Sequence, residues 1–367
     1  MNKKNIITKN SFIELCRFVS SYIIFSFHAN SLFVSGWIFV EYFFILSGYF
    51  AIRHLSEKKD SAINTAEFPL RYTINKFKRL FPYTSVEIIL NAFLTIYMFH
   101  LRGLDIIKWL LYLPVSLLLL PGTGIMPYGT ALTEHLATPH MIAEELWYLS
   151  ALLVALPVML YLFIHFKERY SYWLVSFFPL LLYGFLIIRD GTIHGWHEQS
   201  MTFFSLDIRA LAGLLIGGSV YYVSLWWKKF TYTPFGTGLL TLTELGCFLS
   251  VVIISSKTSL PYDALEILLF LLSLSLTFSG KTLTSRIQCR FFCFLGKLSL
   301  PVYCIHISVF NIMHNFQLPM SELNKTNFIF IIVVIFSIIL YTIIEKGRPL
   351  FAHILDYLKA FIIVRKS

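Results

Sequence analysis

The sequence predicts an all-α, polytopic transmembrane helical bundle of about ten spanning helices, with both termini cytoplasmic. Three observations predict it. The 367-residue chain is 57% hydrophobic and only 14% charged, with a mean hydropathy of +0.70; a soluble domain is about 45–50% apolar and about 25% charged. Apolar runs of roughly 18 to 24 residues recur along most of its length, each long enough to cross a ~30 Å hydrocarbon core. Finally, Lys and Arg gather in alternate connections between those runs.

The apolar runs place candidate spans at 11–31, 34–53, 80–100, 105–121, 142–166, 171–189, 206–227, 236–255, 261–279, 294–316 and 326–345. If all of them cross, the basic stretches around Lys228/Lys229, around Lys281/Arg286/Arg290 and after Lys346 fall outside, against the positive-inside rule. If 105–121 does not cross, those stretches fall inside and only Arg102, Lys108, Arg189, Lys257 and Lys325 remain outside. Segment 105–121 is therefore expected to be re-entrant or interfacial, and Pro114 and Pro121 suit an irregular element.

The first run follows Lys3, Lys4 and Lys9, as in a signal peptide, but Glu14, Arg17 and His28 interrupt it, so it is read as the first span. The two long connections are 54–79, cytoplasmic and basic, and 122–141, outside and without Lys or Arg. The outer connection 190–205 carries Asp190, His194, His197 and Glu198. Residues 1–367 form a single domain whose tail, about 349–367, reads as an amphipathic helix on the inner surface.

A net charge of +10 can signal nucleic acid, but these charges lie between apolar segments and act as topology signals. The bilayer is the expected partner, and nucleic acid is not. Cys289 and Cys293 have no matching second pair, so no metal site is expected; Cys16, Cys247 and Cys304 lie in or beside apolar runs.

Ionisable residues within spans are costly and tend to mark sites. Arg17 and His28 are eleven residues apart, within 20° of whole turns, so they share a face about 16 Å apart along the axis. Glu14 is placed to pair with Arg17. A snorkelling arginine and an interfacial histidine would explain the same pattern. In the second span, Ser47-Gly48 permits close approach of a neighbouring helix or a ligand. Lys76 and Arg79 share a helix face at the inner surface, which suits either a phosphate-bearing ligand or lipid headgroups. Glu144 and Glu145 open the span that continues through Trp147 and Tyr148; adjacent acids point in different directions, so at most one need face the bundle. Asp207 and Arg209 precede Gly213, Gly217 and Gly218. Ser299, Tyr303 and His306 line one face of a later span.

Taken together these residues resemble the acyltransferase 3 family, membrane O-acyltransferases of bacterial surface glycans and related acceptors. The resemblance rests on Arg17-x10-His28, Phe43-Phe44-Ile45-Leu46-Ser47-Gly48-Tyr49, Lys76-x-x-Arg79-Leu80-Phe81-Pro82, Glu144-Glu145-Leu146-Trp147-Tyr148-Leu149, Arg209 with Gly213 and Gly217, Ser299-x3-Tyr303-x2-His306, and Glu345 before Pro349. The matches run in family order over almost the whole chain. Lys76 stands where the family often has Arg, and Pro139-His140-Met141 replaces the family's lead-in to the acidic pair. No appended hydrolase-like domain is expected, so a second acyl-transfer step would need another protein.

The resemblance implies a multi-pass enzyme of the bacterial cytoplasmic (inner) membrane. Its donor would be acyl-CoA, most often acetyl-CoA, and its acceptor a hydroxyl of a cell-envelope or exported glycan. It implies His28 as general base or transient acyl carrier, with Arg17 at the donor or at the developing oxyanion. Lys76, Arg79 and Ser47 would hold the donor, and Glu144 or Glu145, Arg209, Tyr303 and His306 the acceptor. The rival class is a transporter or flippase of a glycan or lipid-linked sugar; transporters often carry internal repeats, and none stands out here. A second rival is a structural or sensory protein whose polar groups bind helix to helix.

Overall fold

The computed structural model of the chain describes residues 10–57, 67–123, 142–166, 168–194, 199–200, 203–257, 262–314, 316 and 319–364, with backbone alone for 122, 168–169, 199–200, 203–204 and 348–364. The helices are α1 (Ser11–His28), α2 (Phe39–Glu57), α3 (Phe68–Met98), α4 (Leu104–Leu111), α5 (Leu113–Leu117), α6 (Trp147–His165), α7 (Glu168–Asp190), α8 (Ser205–Lys228), α9 (Pro234–Lys257), α10 (Asp263–Ser279), α11 (Arg290–His314) and α12 (Glu322–Val364). Two-residue strands Gln199–Ser200 and Phe203–Phe204 form a small antiparallel pair ahead of α8.

Helix ends follow local chemistry. Asn10 caps α1, its side-chain oxygen accepting the N–H groups of Phe12 and Ile13 at 3.0 and 3.2 Å, and Glu14 lies in the first turn where the helix dipole favours a negative charge. Gly280 ends α10 at φ +72°, a left-handed conformation that costs glycine nothing.

Among the described residues, eight helices are long and apolar enough to cross a membrane. They match the expected spans apart from α1, which carries Glu14, Arg17 and His28, and α10, which has 17 residues. Segment 105–121 does not form a spanning helix. It breaks into α4 and α5, with Pro114 in the first turn of α5, and is held against α3 by buried Trp109, whose indole N–H donates to the Ala92 carbonyl at 3.2 Å.

Two expectations need correction. The basic connection 54–79 is helical from Phe68 onward, because α3 runs on below the apolar run. The tail is not a separate helix starting near 349; α12 continues unbroken through Pro349 to Val364. At 1.5 Å per residue its 43 residues extend about 64 Å, well beyond a hydrocarbon core. Most of the outer connection 122–141, including His140, lies outside the described residues, as do His197 and Glu198.

Glycines set the tightest packing. A Cβ on Gly48 would stand 1.9 Å from the Leu214 carbonyl oxygen, and one on Gly217 2.2 Å from that of Ile45. The α2 and α8 backbones therefore touch, as the Ser47-Gly48 step allows. A Cβ on Gly296 would stand 2.0 Å from Glu14 Oε2, so α11 lies directly against α1. Large apolar side chains such as Trp173, Ile188, Phe235 and Leu242 face outward, as a surface in contact with lipid requires.

Candidate active site

The starts of α1, α3 and α11 and the ends of α2, α8 and α10 surround one chamber of about 1150 Å³, together with Tyr341 and Glu345 of α12. These are the ends that the charge distribution assigns to the cytoplasmic side. The chamber is strongly basic: Arg17, Arg53, Lys76, Arg79, Lys228, Arg286 and Lys297 line it, against the two carboxylates of Glu14 and Glu345. Tyr83 donates a hydrogen bond to Glu345 at 3.1 Å, tying α3 to α12 at its wall.

Three donor-site expectations meet here. Lys76 reaches across from α3, and its Nζ donates to Ser47 Oγ on α2 at 3.1 Å. Arg79, one turn further along α3, lines the same wall. Arg17 pairs with Glu14 at 3.0 Å and keeps 28% of its side chain exposed toward the chamber. The chamber wall thus carries guanidinium, ammonium and hydroxyl donors from three helices.

Tyr148 and Tyr303, whose ring centroids are 5.6 Å apart, also line the chamber. Neither His28 nor His306 lines it. His306 lies one turn beyond Tyr303 on α11, 1% exposed, and its ring meets that of His28 at 5.2 Å between centroids. Arg17 thus lines the chamber, while His28, eleven residues further along α1, meets His306 outside its lining.

The acidic pair resolves by geometry. Ala143 adopts φ +58°, and a 3-10 turn over Glu144–Leu146 then turns Glu145 inward, 4% exposed, while Glu144 stays half-buried. Tyr303 donates its hydroxyl to the Glu145 carbonyl. Trp147 and Tyr148 are buried in the bundle, not at an interfacial belt.

Arg209 is 1% exposed and bonded through Nε to Glu41 on α2, which also accepts the Tyr183 hydroxyl. Its guanidinium lies 5.0 Å from the rings of both Trp37 and Trp147. This arrangement joins α2, α6, α7 and α8, and it closes Arg209 off from the chamber.

Sequence reasoning missed three acids. Glu41 neutralises Arg209. Glu87 accepts from Ser308 at 2.5 Å and faces Glu145 within hydrogen-bond reach. Glu244 accepts from Thr277 at 2.6 Å and Thr284 at 2.5 Å, fastening the connection that carries Arg286 to the chamber. Each lies within an apolar run, so the signal that picked out Arg17 and His28, an ionisable residue inside a span, would have found all three.

The model of the acyltransferase domain family matches residues 10–346. No curated protein and no solved structure is similar enough to this chain to count as a match. The match takes in every helix of the bundle as far as the start of the tail, chamber and histidine pair included, and with the spanning helices it settles the class: the chain belongs to the acyltransferase domain family and is a multi-pass membrane acyltransferase.

Proposed function

We propose that this enzyme takes a short acyl group, acetyl in the first instance, from cytoplasmic acyl-CoA and transfers it to a hydroxyl of a cell-envelope or exported glycan. The observation that carries this reading is the position of the basic chamber relative to the histidines. The chamber opens among the helix ends assigned to the cytoplasm, and His28 lies beyond its inner wall. Coenzyme A is cytoplasmic and carries several phosphates, and the Lys76–Ser47 pair with Arg79 and Arg17 offers charge-assisted donors to them.

In this reading the acyl chain enters between Tyr148 and Tyr303. His28 takes the proton of the attacking hydroxyl. The new ester C–O bond forms as the thioester C–S bond breaks, and the proton passes on to the departing thiolate. The Arg17 guanidinium faces the donor and suits the charge that develops on the carbonyl oxygen. An alternative order, in which His28 carries the acyl group between two half-reactions, uses the same groups. In this reading the buried rings of Tyr148 and Tyr303 shield the thioester from water.

The test is proton NMR of purified envelope glycans from cells with and without the gene. An O-acyl signal that disappears with the gene and returns on complementation supports the reading. Identical acyl content, with altered amounts of glycan outside the membrane, overturns it in favour of a transporter.

A further inference from the structure

Two acids meet inside the bundle without lining the chamber. Glu87 on α3 is 0% exposed, and Glu145, in the turn that opens α6, is 4% exposed. Their carboxyls lie within hydrogen-bond reach of each other. Ser308 of α11 donates to Glu87 Oε1 at 2.5 Å, and Asn91 donates to Ser308 at 3.4 Å. Glu87 Oε2 and Glu145 Oε1 are buried and receive no donor from any described residue.

No cation answers these acids. Among the described residues neither forms an ion pair, and Arg209 on α8 is committed to Glu41. The titratable groups that face the pair are Tyr303 and Cys304 of α11 and Glu144 beside Glu145, none of which can carry a positive charge. His306 of α11 turns its ring to the Tyr303 carbonyl and to His28. No described group of three or more His, Cys, Asp or Glu side chains could hold a metal ion.

An ionised carboxylate can only accept. Two carboxylates in reach of each other leave oxygens on both without a donor, and they set like charges together in a low-dielectric interior, where both cannot stay ionised. A proton on one supplies the missing donor to the other and turns the same contact into a short, strong O–H···O⁻ bond. We infer that Glu87 and Glu145 form a proton-binding site inside the bundle: the pair holds one proton between its carboxyls at neutral pH and keeps a single negative charge, which the Ser308 hydroxyl offsets. The proton belongs to the pair, not to either residue. It fastens α3 to the turn before α6 where Tyr303, a residue of the chamber lining, donates to the Glu145 carbonyl. The seating of that part of the chamber wall therefore depends on a bound proton. Neither the acyl donor nor the acceptor enters this assignment, so failure of the proposed transfer activity would leave it intact.

The test is infrared difference spectroscopy of the full chain in nanodiscs at neutral pH, scaled per protein by the amide band. Wild type is compared with the double variant Glu87→Gln/Glu145→Gln, which keeps the shape and removes both carboxyls. The expected difference is the loss of one carboxylic-acid C=O band and one carboxylate band. Loss of two carboxylate bands and no acid band, the result if a cation held the pair, overturns the assignment. Loss of two acid bands and no carboxylate band overturns it as well. If the double variant gives no folded peak on size exclusion, the single variants Glu87→Gln and Glu145→Gln carry the measurement. Each replaces one partner of the shared bond, so the acid band is expected to vanish or move in both; an acid band unchanged in either one overturns the assignment.

Discussion

Replacing Glu41 by Gln should destabilise the protein more than replacing Arg209 by Met, although the two form one ion pair. Both side chains are buried, at 0% and 1% exposure. Glu41→Gln keeps the shape and removes the charge, leaving a guanidinium in the bundle. Its other polar bonds are long, 3.4 Å to the His194 carbonyl and 3.5 Å to that of Trp37. Breaking a buried pair from one side costs about 3–5 kcal/mol. The flanking Trp37 and Trp147 faces offset about 1–2 kcal/mol through cation–π attraction, and they already do so in the wild type. Arg209→Met leaves a carboxyl that can take up a proton and still accept from Tyr183, whereas a guanidinium cannot shed its charge. That variant should cost about half as much. The double variant removes both charges and should be more stable than Glu41→Gln alone, since no guanidinium is then left buried without its carboxylate. The assay is thermal unfolding of purified protein in nanodiscs, followed by tryptophan fluorescence. A larger loss for Arg209→Met than for Glu41→Gln, or a double variant that simply sums the two single losses, would refute the reasoning.

Three further outcomes follow from the same geometry. Lys76→Met should raise the KM for acyl-CoA about tenfold, the equivalent of one charge-assisted hydrogen bond of about 1.5 kcal/mol, with a weaker dependence on salt than wild type; an unchanged KM in steady-state assays would remove Lys76 from the donor site. Gly217→Val should abolish a monodisperse folded peak on size exclusion, because its Cβ would meet the Ile45 carbonyl oxygen at 2.2 Å, whereas Gly238→Val, with nothing within 4 Å, should leave the peak intact. Glu145→Gln should hold or raise the unfolding midpoint, since facing carboxyls repel when both are charged, while Glu145→Ala should lower it by leaving a void; a fall of more than a few degrees for Glu145→Gln would show that the charge itself is required.

The bundle was legible because its two strongest signals, apolar run length and the placement of Lys and Arg, act on individual segments. Pairing within one helix was legible for the same reason: Glu14 and Arg17 meet at 3.0 Å because three residues of helix place them together. Contacts between helices were not. Spacing on α3 put Lys76 and Arg79 on one face, but only the family resemblance put them with Ser47, 29 positions away. Nothing local marks Glu41 as the partner of Arg209, 168 positions away. The start of α3 and the length of α12 were hidden because hydropathy measures where lipid ends, while a helix continues into water wherever its residues allow. Glu144 and Glu145 could not be separated by periodicity because a 3-10 turn, entered through Ala143, sets their directions.

The most direct measurement uses inside-out membrane vesicles supplied with acetyl-CoA labelled in the acetyl group, comparing wild type with His28→Ala. The account predicts that label moves to glycan in wild type and falls at least 100-fold in the variant, on the order expected for loss of a general base. It also predicts that both proteins insert in equal amounts and bind acetyl-CoA equally well in the chamber below. Near-normal transfer by His28→Ala would contradict it.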